Sequence, residues 1–301
     1  MKNFTFIDLF AGIGGFHAAA DSLGGTCVFA SEIDKEAQKA YCENYGLIPL
    51  GDITKIDAKK IPEHDILFAG FPCQPFSIIG SQRGFDDTRG TLFFDIARIL
   101  KEKKPKAFVL ENVKQLSTHD KGKTLSVILN TLEGLGYKTY WKVLNALDYG
   151  LPQKRERTII VGFLDRDIVF NFPCPIPRKS LQDVLQFDDE VDQKHFVSDA
   201  IKSKRLASHT SKYDLAIWHE NKSGNISSYP YSCALRAGAS YNYLLVNGVR
   251  RLTPREMLRL QGFSDSFKIV CSDSQTRKQA GNAVPIPMIK EVLKEVLSVL
   301  S

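Results

Sequence analysis

Short apolar runs and longer stretches of mixed polarity take turns along residues 4–163. The apolar runs at 5–10, 27–30, 49–51, 66–69, 108–110, 140–144 and 158–163 read as strands. Between them, residues 16–23, 35–44, 92–102 and 124–135 repeat their apolar positions every three or four residues, which predicts helices. Alternation at this spacing predicts an α/β fold around a mostly parallel, doubly wound sheet. The pattern breaks at residues 173–178, Pro-Cys-Pro-Ile-Pro-Arg, a stiff connector. Residues 179–250 are irregular and polar, rich in Ser, Asn, Lys and Tyr, and read as a second, smaller domain. At the far end Met288, Ile289, Val292, Leu293, Val296, Leu297 and Leu300 recur at helical spacing, with Pro285 and Pro287 suited to a first turn. Such a helix needs a core, and the first domain is the expected host.

Composition narrows this picture only a little. With 43% apolar and 25% charged residues among 301, a folded, soluble protein with a core is expected. The net charge of +6 and pI near 8.9 permit nucleic-acid binding without requiring it. No apolar run reaches the ~18 residues of a membrane span. The start, Met1-Lys2-Asn3-Phe4-Thr5-Phe6, enters a strand without a signal-peptide layout. Six cysteines form no C-x-x-C pair and no His/Cys cluster at metal spacing, so neither disulfides nor a metal site is expected, and a reducing cytoplasm is.

Chemistry enters where the strands end. Gly70 and Pro72 break the strand at 66–69, so Cys73 stands where the chain leaves the sheet, the edge at which open α/β sheets bind ligands. By itself it is either a reactive thiol or an ordinary loop cysteine. The first strand runs into Asp8-Leu9-Phe10-Ala11-Gly12-Ile13-Gly14-Gly15-Phe16, a glycine turn that lets backbone approach a ligand. His17 occupies the position of the third small residue of the dinucleotide fingerprint, so a pyrophosphate is not demanded. Glu32, ending the second strand, can accept both hydroxyls of a ribose, and Asp52 can accept an adenine amino group. Together these suggest an adenosine ligand without phosphates; singly, each is equally an empty turn or a solvated charge. Glu111 emerges at the same edge as Cys73, one strand further on, unless it merely caps a helix. Gln153-Lys154-Arg155-Glu156-Arg157 is a basic turn before a strand.

The strings DLFAGIGGF (8–16), GFPCQPFS (70–77), GFDDTRGTLFFDIARIL (84–100), ENV (111–113), LPQKRER (151–157), RRLTPREMLRLQGF (250–263) and QAGNAVPIPM (279–288) stand in one order. In them the chain resembles the cytosine-5 DNA methyltransferases, especially the compact bacterial modification enzymes. The match leaves out chiefly residues about 175–245. The resemblance implies a Rossmann-like S-adenosylmethionine-dependent methyltransferase domain, residues 1–175 plus 276–301, and a smaller, irregular target-recognition domain, 176–275. It implies that S-adenosylmethionine is held by Phe10, Ala11, Gly12, Gly14, Gly15, Glu32, Ile33, Asp52, Ile53, Pro72, Leu92, Asn282 and Ala283.

The implied chemistry is addition of the Cys73 thiolate to carbon 6 of cytosine, which makes carbon 5 nucleophilic. A free cysteine is only a few per cent thiolate at pH 7, so the site must favour the anion. Glu111 is expected to bind ring nitrogen 3 and the exocyclic amine as a protonated acid of raised pKa. Arg157 is expected to hold oxygen 2, and Arg155 to support Glu111 or a phosphate. The cytosine must be flipped from the duplex at about a few kcal/mol. Residues 74–91 look like the family's catalytic loop, with Gly80, Gly84 and Gly90 as hinges and Ile79 as a base wedge. Ser77, Gln82, Arg83 and Arg89 are expected DNA contacts, as is Arg236 in the recognition region. Tyr229, Tyr231, Tyr241, Asn242 and Tyr243 are further candidates there, equally suited to packing. His17, His119, His195, His209 and His219 are expected to be non-catalytic, the last four solvated.

Double-stranded DNA is the implied partner, in a bacterial cytoplasm and bound to the nucleoid, for a monomer whose target site a cognate restriction endonuclease would share. The alternative is a transfer-RNA cytosine-5 methyltransferase of the same family, which would carry proline at 71, threonine at 77 and a much smaller recognition insert. An exocyclic-amine methyltransferase would need an Asp-Pro-Pro-Tyr-like motif, which the chain lacks. A non-catalytic binding module is disfavoured because Cys73, Glu111 and Arg157 all stand in place. The target sequence itself is not legible.

Overall fold

The structure is a computed structural model that describes residues 3–72, 92–221, 223–240 and 242–300. Cys73, Ser77, Gln82, Arg83 and Arg89, with the hinge glycines and Ile79, lie outside the described residues, as does Tyr241. The elements in order are β1 (Phe4–Leu9), α1 (Gly15–Asp21), β2 (Gly25–Ser31), α2 (Lys35–Tyr45), β3 (Ile66–Gly70), α3 (Leu92–Lys103), β4 (Ala107–Val113), α4 (Lys123–Gly134), β5 (Lys138–Asn145), β6 (Gln153–Lys154), β7 (Glu156–Phe163), α5 (Asp199–Ser208), β8 (Ile217–Glu220), β9 (Ile226–Tyr229), β10 (Ser232–Cys233), β11 (Leu244–Val246), β12 (Arg250–Arg251), α6 (Pro254–Gln261), α7 (Asp273–Asn282) and α8 (Ile286–Val299). The chain forms two compact units, one of Met1–Leu144, Glu156–Cys174 and Ile289–Ser301, the other of Asn145–Arg155 and Pro175–Met288.

The first unit holds a six-stranded sheet in the order β2-β1-β3-β4-β7-β5. Strands β2, β1, β3 and β4 are parallel, and β7 runs antiparallel to β4. Strands β1, β3 and β4 are apolar at nearly every position because both faces are covered. On one face Ile7, Leu9, Leu67, Ala69, Phe108 and Leu110 meet Phe93, Ile96 and Ile99 of α3 and Leu125, Ile128 and Leu132 of α4. On alternate positions Phe68 packs against Phe6 (5.4 Å between rings) and stacks on Phe16 of α1 (5.2 Å). The expected strand at 49–51 shrinks to one bridge, Leu50 against Ser31. Pro49, which has no N–H, cannot extend that ladder. In α8 Met288, Ile289, Val292, Leu293 and Val296 are fully buried, and from Ile289 onward the helix belongs to the first unit.

The second unit is more regular than its composition suggested. It has an antiparallel sheet in the order β12-β11-β8-β9, a two-residue parallel pair of β6 with β10, and helices α5, α6 and α7. Strands of two to four residues are too short to show a period. Helix α6 did carry a signal: Thr253 and Glu256 form a capping box around Pro254 at the first turn. Glu256 is fully buried and pairs with Arg250 at 3.0 Å, and Arg250 also holds Asp188 at 2.6 Å. The unit boundaries differ from the ones drawn on sequence. Residues 145–155 and 276–288 pack with the second unit, because side chains of Gln153 and Arg155 are bonded to Leu260, Leu235, Gly281 and Ala283.

Gly162 of β7 lies opposite Phe108 of β4, and a Cβ there would overlap the Phe108 ring. We expect Gly162→Ala to lower unfolding free energy by about 1–3 kcal/mol, the usual cost of overpacking. Adding Phe108→Leu should return part of the loss; denaturant titration of both variants checks this.

Candidate active site

Strand order sets the site. β1 is flanked by β2 on one side and β3 on the other, so the chain reverses its direction of sheet growth there. In open α/β sheets ligands bind at such a switch, beyond the carboxyl ends of the strands. Here those ends deliver Phe10–Gly14, Glu32, Gly70 and Glu111.

The glycine turn after β1 is left-handed at Phe10 (φ 56°), Gly12 (φ 55°) and Gly14 (φ 80°). It is pinned by Ala11 N–H donating to Ser31 O (2.9 Å) and Gly14 N–H to Ala11 O (2.8 Å). A side chain at Gly14 would collide with the Tyr45 ring, whose hydroxyl donates to Gly14 O at 2.9 Å. A Cβ at Gly12 would meet nothing, so that residue borders open space. Glu32 braces the turn from β2: one carboxylate oxygen accepts Gly12 N–H and the other accepts Asp34 N–H, each at 2.8 Å. The next residue, Ile33, is largely exposed (69%), which is unusual for so apolar a side chain and leaves a greasy surface beside that carboxylate. Asp52 caps the following 3₁₀ turn, accepting from Thr54 N–H and Oγ1. Those Thr54 bonds, with Lys55 nearby, hold its carboxyl below the usual range, so it is anionic. Ile53 is buried, and Phe10 and Leu92 are partly so.

Beneath the turn lies a residue that sequence reading passed over. Asp8 is fully buried, and neither carboxyl oxygen has a hydrogen-bond partner among the described residues. Burial first, and the Glu32 charge second, push its pKa well above the carboxylate range. The His17 backbone amide, which faces it short of bonding geometry, opposes this weakly. A charge inside the apolar run of β1 was the available signal. His17 itself is buried, bonded through Nδ1 to Tyr41 Oη (2.6 Å) and stacked on Tyr45 (4.0 Å). It lies within helix α1, as expected. His119, His195, His209 and His219 are half-buried rather than solvated; His119 bonds Thr124 and His209 bonds Ser228.

At the next strand ends, parallel register sets Gly70 of β3 opposite Glu111 of β4. Beyond Gly70, Phe71 is buried and its carbonyl accepts the Asn112 side-chain amide at 2.9 Å, so the chain leading into Pro72 is tied to β4. Antiparallel β7 sets Arg157 opposite Val113, and Arg157 Nε reaches Glu111 Oε1 at 2.7 Å in a nearly buried ion pair. Glu111 Oε2 takes no partner among the described residues. Arg155, two residues away, does something else. The residue is 1% exposed, and its guanidinium donates to the carbonyls of Leu235 (3.0 Å), Gly281 (3.0 Å) and Ala283 (2.7 Å). A guanidinium so enclosed cannot contact a phosphate, and the ion-pair partner of Glu111 is Arg157; both expected roles of Arg155 are therefore corrected. Asn282 and Ala283 close helix α7 in the second unit. Among the described cysteines, burial pushes Cys27 up to about 12 and raises Cys233, so neither is a ready nucleophile.

A model of the C-5 cytosine-specific DNA methylases matches residues 4–298. The Type II methyltransferase M.NgoBI of Neisseria gonorrhoeae is 58% identical over 98% of this chain and 93% of its own length. M.HaeII of Haemophilus aegyptius is 57% identical over 100% and 95%. Among solved structures, the S. pombe Dnmt2 methyltransferase superposes with a TM-score of 0.76 over 99% of each chain, at 20% identity, a likeness of fold.

The pocket of His17 makes a titration prediction. Burial lowers its pKa from 6.5 to about 4, so the neutral ring's contribution is complete above pH 6.5 and is lost as pH falls toward 4. The span corresponds to about 3 kcal/mol. Thermal unfolding between pH 7 and 4 should therefore be less acid-sensitive in His17→Gln than in the natural chain.

Proposed function

The chain belongs to the C-5 cytosine-specific DNA methylase family, and on that premise we propose that Cys73, Glu111 and Arg157 carry its methyl transfer to carbon 5 of cytosine in double-stranded DNA. The enzyme acts as a monomeric modification methylase of a restriction–modification system in a bacterial cytoplasm, and a cognate endonuclease shares its site. The observation that carries the assignment of residues is the Gly70–Glu111 register: it sets the strand end that leads into Pro72 and Cys73 level with the Glu111–Arg157 pair.

The residues at the β1 and β2 ends fit an adenosine-bearing ligand. Gly12 faces open space, Glu32 offers its remaining lone pairs to ribose hydroxyls, Ile33 offers an apolar surface to a base, and Asp52 is an anionic acceptor. When bound there, S-adenosylmethionine supplies an electrophilic methyl group. Phe10, Gly14, Ile53 and Leu92 complete its walls, with Ala11, Gly15 and Pro72 contributing as in the family; Asn282 and Ala283, in the second unit, are cofactor residues by the family resemblance alone. These residues bind and orient; they move no proton.

The substrate chemistry belongs to the β3 and β4 ends. Cys73 gives up its proton to solvent water, and its sulfur bonds carbon 6 of the flipped base. Electrons of the carbon 5–carbon 6 bond shift toward ring nitrogen 3, where Glu111 donates a hydrogen bond or proton. Arg157 orients Glu111 through one oxygen, leaving the other oxygen, which carries the proton in the reacting complex, for the base, and also holds oxygen 2 of the ring. Carbon 5 is then nucleophilic. Once it carries the methyl group, its proton passes to solvent water, the carbon 5–carbon 6 double bond re-forms as sulfur departs with its electron pair, and nitrogen 3 returns to Glu111 what it received. Ser77, Gln82, Arg83 and Arg89 supply phosphate and groove contacts, which give affinity and salt dependence.

The transfer-RNA alternative has weaker support, since the relatives at 57–58% identity are named Type II methyltransferases. Tritiated methyl transfer decides it: label should enter duplex DNA and not transfer RNA. Cys73→Ser should lose methyl transfer by orders of magnitude while still binding S-adenosylmethionine. Label in transfer RNA, or a fully active Cys73→Ser, would overturn the proposal.

A further inference from the structure

The second unit has a concave surface of its own. An open cavity of about 470 Å³ is walled by Glu220 and Asn221 at the end of β8, by Arg236, Gly238 and Ser240, and by Tyr243 before β11. The arginines of this unit are mostly committed to the protein. Arg155 is spent on three carbonyls. Arg205 and Arg250 are buried against Glu220 and Glu256. Arg259 grips Asp265 with two nitrogens, and Arg251, Arg255 and Arg277 donate to Asn242, Phe267 and Ala239. Among the described residues of this unit, only Arg178 and Arg236 keep guanidinium groups without a protein acceptor. Arg178 stands beside Lys179 on the exposed connector. Arg236 stands in the cavity.

Arg236 is also held as a reading residue must be. Its backbone N–H donates to Tyr243 Oη at 3.0 Å, and its guanidinium lies 4.8 Å above the centre of the same ring. Tyr243 is buried, so that platform is fixed. The preceding residue is clamped on both sides: Leu235 N–H donates to Gln153 Oε1 and Leu235 O accepts from Arg155, each at 3.0 Å. Strand β10 just before it pairs with β6. A stacked, planar fork on a rigid backbone suits two acceptors side by side, which is what guanine O6 and N7 present in the major groove. The facing wall carries the Glu220 carboxylate, one oxygen of which is held by Arg205. A carboxylate repels a phosphate but accepts from the amine of a cytosine, so the groove favours a base edge over the DNA backbone.

We propose that Arg236 reads a guanine of the target site through O6 and N7, from a backbone fixed by Gln153, Arg155 and Tyr243. The assignment rests on the reading of the chain as a DNA methylase. The test begins by mapping the target on plasmid DNA methylated in vitro, by bisulfite sequencing. Methyl-transfer kcat/KM is then measured on duplexes with 7-deazaguanine placed at one guanine of the site at a time, for the natural chain, Arg236→Ala and Arg236→Lys. The natural enzyme should lose roughly tenfold or more at one position, the scale of a bidentate contact. Both variants should lose rate on the natural site and show no additional loss at that same position, while the other guanines behave as before. A variant weakened equally on every duplex, with a flatter salt dependence, would make Arg236 a phosphate contact and overturn the assignment, as would a variant with unchanged rates. If the natural chain methylates no duplex at all, the DNA-methylase reading itself fails and takes this assignment with it.

Discussion

The register of β4 against β3 decides whether this sheet edge can do chemistry. Gly70 stands opposite Glu111. A slip of one residue would turn Glu111 to the other face and offer Leu110 or Asn112 in its place. Burial prevents the slip: both strands are apolar on both faces and are covered by α3 and α4 on one side. The antiparallel partner β7 then fixes Arg157, and the 2.7 Å ion pair follows from two registers rather than from local sequence. Removing either partner from such an enclosed pair leaves a charge uncompensated, at a cost of about 3–5 kcal/mol. The same pair therefore supports the fold and the proposed reaction.

The turn after β1 makes a second demand. Backbone in the left-handed region at three nearby residues costs conformational energy, least at glycine. Tyr45, Ser31 and Glu32 hold it in place. Asp8 below the turn is the opposite of a brace, since a carboxyl without partners is costly to bury as an anion. Burial raises its pKa and so favours the neutral acid, while the Glu32 side chain faces the turn and accepts its Gly12 N–H.

Much of the first unit was legible because its central strands are dense apolar runs and its helices repeat their apolar positions at helical spacing. The strands at 66–69 and 108–110, for instance, were placed within a few residues of β3 and β4. Pairing was not legible, since it depends on contacts far apart in the chain. Arg155 and Arg157 looked alike in one basic turn. Their difference comes from Leu235 and Ala283, 80 and 128 residues beyond Arg155, on one side, and from Glu111 on the other. The same long-range bonds moved the unit boundary to include residues 145–155. In the second unit, strands of two to four residues gave no pattern, and helix α6, with its Thr253–Glu256 capping box, went unread in the sequence. The resemblance to a methylase family supplied the site list; the structure separated a clamp from an ion-pair partner within it.

The central claim is a bond between the Cys73 sulfur and carbon 6 of a cytosine. Duplex DNA carrying 5-fluorocytosine at the target tests it most directly, because fluorine at carbon 5 cannot leave as the proton does and the sulfur cannot depart. Incubated with S-adenosylmethionine, the enzyme should become covalently attached to that DNA, with peptide mass spectrometry placing the base on Cys73. Free enzyme after full incubation, or attachment at any other residue, would contradict the account.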